Sequence, residues 1–188
     1  MKKSYIFIGV IVILVMMLVG SYNSLVGQRE KINEQSSAIE TVLQRRYDLI
    51  PNLVETVKAY TKHEEEVFVS IAEARQMRQT ANKSGDKTAL AESETKMEGA
   101  LERLLMIVEN YPELKADAQY ISLMDQLEGT ENRIAFERKK YNEVAQVYNS
   151  KIKKFPTNIM AGMFGFEKVD YFVMDEAAKD APKVDFKN

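Results

Sequence analysis

Ile39 to Val57, IETVLQRRYDLIPNLVETV, is the stretch on which the fold turns. Ile39, Val42, Leu49, Leu53 and Val57 recur at steps that sum threes and fours, which places them on one face of a helix and not on alternate faces of a strand. Pro51 sits in the middle of it. The apolar phase continues across the proline, as it would in one long helix bent where the ring displaces the carbonyl of Tyr47. Length argues the other way: a break at Pro51 gives two segments of about 28 residues each, well matched to the runs that follow in an antiparallel bundle. Proline also suits the first turn of a helix. We take the broken form, an all-α fold of four helical segments, with three if Pro51 only kinks the first.

The same stripe starts at Ile32 and continues through Tyr60, Val67, Ile71 and Ala74. It fades in the small and polar residues from Gln79 to Gly85, a turn signal, and Asp86 is placed to cap a second helix over about Lys87–Asn110. Leu90, Met97, Leu101, Leu104 and Val108 face inward there, and Tyr111-Pro112 ends it, because a proline disfavours helical geometry in the residue before it. A longer run, Glu113 to Lys154, carries Tyr120, Leu123, Leu127, Ile134, Tyr141, Ala145, Tyr148, Ile152 and Phe155 as its apolar face and closes at Phe155-Pro156. Residues 27–155 thus form the helical bundle.

Upstream, YIFIGVIVILVMMLVG (Tyr5–Gly20) has no charge, amide or proline and follows Lys2 and Lys3. At about 1.5 Å per residue, a helix continued from Tyr5 to Val26 reaches roughly 33 Å, enough to cross a bilayer. Ser21 to Val26 lacks an Ala-x-Ala-like cleavage site, so residues 5–26 read as an uncleaved transmembrane anchor behind a short flank, 1–4. Tyr22 stands where the chain leaves the membrane, a position that favours an amphipathic ring. Basic residues lie closer on the amino side, which puts the amino terminus in the cytoplasm and the body outside it. The expected location is the plasma membrane, spanned once.

Downstream, residues 156–174 include Ile159 to Phe166, apolar and punctuated by glycine. This segment must dock on the bundle or on a neighbour. Met160, Met163, Phe164 and Phe166 are its candidate assembly contacts. Residues 175–188 are small, charged and poor in anchors, and read as a mobile tail.

The 188 residues carry a formal charge of −2 with both signs interspersed, so no basic face points to nucleic acid. With no cysteine, thiolate metal sites, disulfides and cysteine nucleophiles are excluded. His63 is the one histidine, and no second histidine or Glu-x-x-His pair accompanies it. It reads as a solvated residue on an acidic face. No catalytic, cofactor-binding or metal-binding residue is assigned.

Charge on the helix seams is more informative. Arg46 falls where the first stripe expects an apolar residue, and Glu131 and Arg138 interrupt the third between Leu127, Ile134 and Tyr141. A buried charge survives only paired, hydrated or at an interface. We expect Arg46, Glu131 and Arg138 to form an ionic cluster that fixes helix register or a subunit contact; the alternative is a narrower stripe from which they reach water. Tyr-Asn recurs at 22–23, 141–142 and 148–149, and the last two share one helix face.

These residues carry a resemblance. Tyr22-Asn-Ser-Leu-Val26, Arg45-Arg-Tyr-Asp-Leu-Ile-Pro-Asn-Leu-Val54, Ala74-Arg75, Tyr111-Pro-Glu-Leu-Lys-Ala116, Thr130-Glu-Asn-Arg-Ile-Ala135, the two later Tyr-Asn pairs and Phe155-Pro156 are similar, in order, to the motifs of the LemA family of bacterial membrane proteins. The resemblance implies a single-pass anchor carrying a bundle of long antiparallel helices with no established enzymatic activity, and relatives that include a magnetosome membrane component. It transfers no catalytic residue. The expected role is a scaffold of the cell envelope that contacts the lipid bilayer, assembles as a homo-oligomer and touches other envelope proteins. The alternative is a tethered adaptor or sensor that holds a partner in a groove between helices.

Overall fold

The computed structural model describes residues 2–61 and 63–172. Among these there is no strand. The elements are α1 (Lys2–Lys58), α2 (Glu65–Ser84), α3 (Lys87–Val108), α4 (Pro112–Lys115), α5 (Ala118–Lys151) and α6 (Thr157–Phe164). The fold is all-α, with one long amino-terminal helix, apolar at its start, followed by further helices.

The break expected at Pro51 is corrected. α1 runs through the proline, and Tyr47, Ile50, Leu53, Val54 and Val57 are buried on both sides of it at helical spacing. An interior proline costs about 3 kcal/mol, and full burial of each large apolar side chain returns about 1.5–3 kcal/mol, so the core overrides the local penalty. The chain turns instead after Lys58, where the backbone N–H groups of Tyr60 and Thr61 both donate to the Val57 carbonyl, at 3.0 and 3.2 Å. Glu65 and Glu66 then occupy the first turn of α2, where carboxylates complement the helix dipole.

The other joints are built by local chemistry. α2 persists through the polar stretch to Ser84 and ends on Gly85, whose φ of 69° suits a residue without Cβ. Asp86 caps α3 by accepting from the N–H groups of Thr88 and Ala89 at 2.9 and 3.1 Å. The run expected to be unbroken from Glu113 to Lys154 is divided at Ala116–Asp117 into α4 and α5. Asp117 accepts from the N–H groups of Gln119 and Tyr120, both at 2.8 Å, and from the Tyr60 hydroxyl at 2.9 Å. The Tyr120 N–H, and after it the Tyr60 hydroxyl, hold this carboxyl below the usual carboxylate range.

Two compact units result, and α1 and α5 contribute to both. In the unit of residues 41–133, the core joins Tyr47, Ile50 and Val57 of α1 to Ile71 of α2, Met97 and Leu104 of α3, Leu114 of α4 and Leu123 of α5. In the other, formed by described residues up to 40 and from 134, Leu25 and Ile32 meet Tyr148, Met160 and Ala161. The buried face of α1 is rotated from the one drawn from spacing: Leu43, Tyr47 and Ile50 are buried, while Val42 and Leu49 are half-buried. Phe155, drawn inward, is 80% exposed. The tail 175–188 and the end of segment 156–174 lie outside the described residues.

Two outcomes are expected. Pro51→Ala restores a donor to the Tyr47 carbonyl and should raise stability by about 1–3 kcal/mol in urea unfolding of the detergent-solubilised protein. Asp117 has a lowered folded pKa, so its contribution is present above its unfolded value and disappears as pH falls through the folded one. Asp117→Asn should therefore melt lower than the parent at neutral pH, and that gap should narrow as the pH is lowered into and then below the usual carboxylate range in thermal scans.

Candidate functional site

The most charged part of the interior lies in unit 41–133. Arg46 of α1 and Arg78 of α2 both pair with Glu94 of α3, each through a different carboxylate oxygen. Arg46 also donates through Nη1 to Glu131 Oε1 of α5 at 2.9 Å. The arginine side chains are 5% and 4% exposed, Glu94 16% and Glu131 46%, so the shared, enclosed partner is Glu94. Tyr47 completes the cluster: Arg78 Cζ lies 4.3 Å from its ring centroid, and its hydroxyl donates to the Ser93 carbonyl at 3.4 Å.

The electrostatics follow from this enclosure. Burial works against the charge on Arg46, but Glu94 and then Glu131 outweigh it and hold the guanidinium above its ordinary value. Burial, seconded by Glu94, raises Tyr47. Both shifts keep the groups in their structural protonation states at neutral pH. The cluster ties four helices together.

Of the three seam charges read from the sequence, the structure brings Arg46 and Glu131 together. Arg138 lies in the other unit, with its Cζ 5.6 Å from the Phe172 ring centroid. The buried acid on that part of α5 is its neighbour Glu137, 3% exposed, which accepts from Gln35 Nε2 at 2.6 Å. Glu94 and Arg78 were missed, although a signal existed. Glu94 interrupts the series Leu90, Met97, Leu101, and Arg78 follows Ile71 and Ala74 at the next helical step. His63 is exposed, and among the described residues no three His, Cys, Asp or Glu side chains gather as a metal site.

The second unit contains a different arrangement. Tyr148, fully buried, donates through its hydroxyl to the Glu167 carbonyl at 2.9 Å. Asn149 donates to the Val169 carbonyl at 2.8 Å and accepts from the Val169 N–H at 3.0 Å. Asn142 does the same to Phe172, at 2.7 and 2.8 Å. Seven residues of helix rise about 10.5 Å and three residues of extended chain about 10 Å, so each amide meets a backbone unit three residues from the last. The Tyr-Asn spacing visible in the sequence placed tyrosines in the core; the asparagines' role as a backbone clamp was not read. Beside the clamp, Ala135, Arg138, Asn142, Gln146, Tyr171 and Phe172 line an open groove of about 760 Å³.

In the same unit, Met160 is buried beside Leu25 and Tyr148. Phe166 is half-buried, its ring 5.8 Å from that of Tyr22, and Phe164 lies 4.9 Å from Tyr22 while remaining 55% exposed. Met163 is 72% exposed. Of the candidate assembly contacts, Met160 and Phe166 thus pack within the chain, Phe164 packs on Tyr22 and leaves the rest of its ring exposed, and Met163 faces outward. At the start of α1 the described side chains of residues 5–20 are all exposed, and this is the one helix among the described residues long and apolar enough to cross a membrane.

A family model described as the LemA family matches residues 35–186. The chain belongs to the LemA family. Similarity extends to "Magnetosome protein MamQ 2" of Paramagnetospirillum magneticum, 30% identical over 184 residues, covering 86% of this chain and 67% of that protein. "Magnetosome protein MamQ" of Magnetospirillum gryphiswaldense shows the same identity and coverage. "Protein LemA" of Metamycoplasma hominis is 28% identical over 158 residues, covering 84% of this chain and 71% of its own length. The matched LemA region contains the whole charged cluster and the asparagine clamp, and begins downstream of the apolar run.

Removing Glu94 takes away the carboxylate that both guanidiniums share. Glu94→Ala should cost about 3–5 kcal/mol, the usual penalty for breaking a buried pair from one side. Glu131→Ala, at a half-exposed side chain, should cost under about 1 kcal/mol. Equal losses in denaturant titrations would show that Glu94 is not the hub.

Proposed function

We propose that this LemA family protein is a single-pass, membrane-anchored scaffold of the bacterial cell envelope whose copies associate laterally. The observation that carries the reading is the continuity of α1. One unbroken helix holds the apolar run at 5–20 and supplies Tyr47, Ile50 and Val57 to the core of unit 41–133. No loop separates the apolar run from these core residues along the chain. The basic pair Lys2–Lys3 supports an amino terminus in the cytoplasm and a body outside it.

A structural role, as opposed to a chemical one, is supported by how the interior charges are used. Arg46, Arg78, Glu94 and Glu131 are engaged with one another across four helices, an arrangement suited to fixing register. The names of the relatives state no reaction, and two of them place those proteins in magnetosomes. Lateral association is supported by apolar side chains that unit 41–133 leaves exposed, among them Val69, Met106 and Ile121 at 48%, 62% and 45%. Tethering in a plane raises the effective concentration of such surfaces.

The groove along α5 favours a second reading, an adaptor that holds an extended segment of a partner beside Tyr171 and Phe172. Stoichiometry separates the two. Native mass spectrometry after mild detergent extraction should give multiples of the 21.5 kDa chain for the scaffold. A single chain bound to one other protein would support the adaptor and overturn self-assembly.

A further inference from the structure

The short helix α6 has two apolar faces, and the fold uses only one. Thr157, Met160 and Ala161 are buried. Across from them, Phe155 in the preceding turn, Ile159 and Met163 follow at steps of four and are 80%, 48% and 72% exposed. Phe164 adds a ring that is more than half exposed. A row of large apolar side chains of this kind is uncommon on a surface meant for water.

Its neighbours supply the explanation. Phe164 and Phe166 pack their rings on Tyr22 of α1, and Lys151 donates to the hydroxyl of Ser24. A hydrocarbon layer of about 30 Å needs about 20 helical residues. Counted from Tyr5, the start of the apolar run, that length ends at Ser24. The residues of α1 that hold α6 are therefore those at which α1 would leave the hydrocarbon. Lys153 and Lys154, both exposed, stand directly before Phe155. Cations beside large apolar side chains make up the composition of an interfacial segment.

We propose that α6 and the turn before it form a second membrane contact, lying in the headgroup layer of an anionic bilayer beside the exit of α1. Phe155, Ile159, Met163 and Phe164 enter the acyl boundary, and Lys153 and Lys154 meet lipid phosphates. The proposal rests on the reading of α1 as a membrane span and adds to it. A lone crossing helix sets depth but leaves rotation about its own axis free. A second contact at its side fixes that rotation, so the unit to which α6 belongs presents one constant face along the membrane.

The chain has no cysteine, so single Cys labels are unambiguous. Full-length Val12→Cys, Phe136→Cys and Met163→Cys variants, each carrying an environment-sensitive fluorophore, are placed one copy per nanodisc of phosphatidylcholine with phosphatidylglycerol. Spin-labelled lipid is the quencher. Position 163 should shift to the blue and be quenched to an extent approaching that at position 12, while position 136 stays water-like and unquenched. Lys153→Glu with Lys154→Glu should reduce the quenching at 163. Quenching at 12 with none at 163 would overturn the second contact and leave the anchor standing; quenching at neither would overturn both. A blue shift at 163 without quenching would mean protein burial, and would also overturn it.

Discussion

One helix both begins with a run long and apolar enough to cross a membrane and lends a face to a folded core, and most of the structure follows from that constraint. In hydrocarbon every backbone donor and acceptor must be met within the segment, because no water is present to replace a lost partner. α1 meets this demand over residues 5–20 with no proline and with apolar side chains on all sides. Beyond Tyr22 the same helix needs only one apolar face, and Leu25, Ile32 and Ile39 supply it. The one proline of α1 lies at 51, far beyond the apolar run, where buried neighbours on both sides hold the helical path.

Holding such a helix in register is a separate problem, because apolar faces slide past one another at little cost. The Glu94 carboxylate, shared between Arg46 and Arg78, removes that freedom. Misplacing α1, α2 or α3 by a turn would leave an enclosed charge without its partner. Apolar replacement of buried ion pairs is often neutral or stabilising, so what such charges contribute is definition. The other unit solves the same problem with neutral groups: amides of Asn142 and Asn149 and the hydroxyl of Tyr148 hold the chain of residues 167–172 to α5.

Much of this was legible beforehand. The helical spacing, the apolar run, the cap at Asp86 and the ends at Tyr111-Pro112 and Phe155-Pro156 are short-range signals, each with a local physical cause. What was misread depends on long-range energy. Pro51 looks like a break if only the backbone is considered, and continues only because the burial of Tyr47, Ile50 and Leu53 outweighs it. The true turn after Lys58 has no glycine or proline to announce it and is held from elsewhere, by Asp117, which accepts from the Tyr60 hydroxyl, and by Tyr111, whose hydroxyl donates to Thr61. Arg46 could be singled out as a charge on a seam, but its main partner, Glu94, belongs to a helix whose rotation spacing alone did not fix. Arg138 failed to join them because it is seven residues further along α5 than Glu131 and serves a different neighbourhood.

The clamp on residues 167–172 grips main chain almost exclusively. Both asparagines address an amide and a carbonyl that every residue except proline possesses, so these bonds are indifferent to the side chains at 168, 170 and 171, while Val169 and Phe172 add packing of their own. Sequence drift at Lys168, Asp170 or Tyr171 can therefore recast the chemistry displayed along this edge while the path of the chain stays put. A surface of that kind is a display rail: its lettering can be rewritten without refitting the mount.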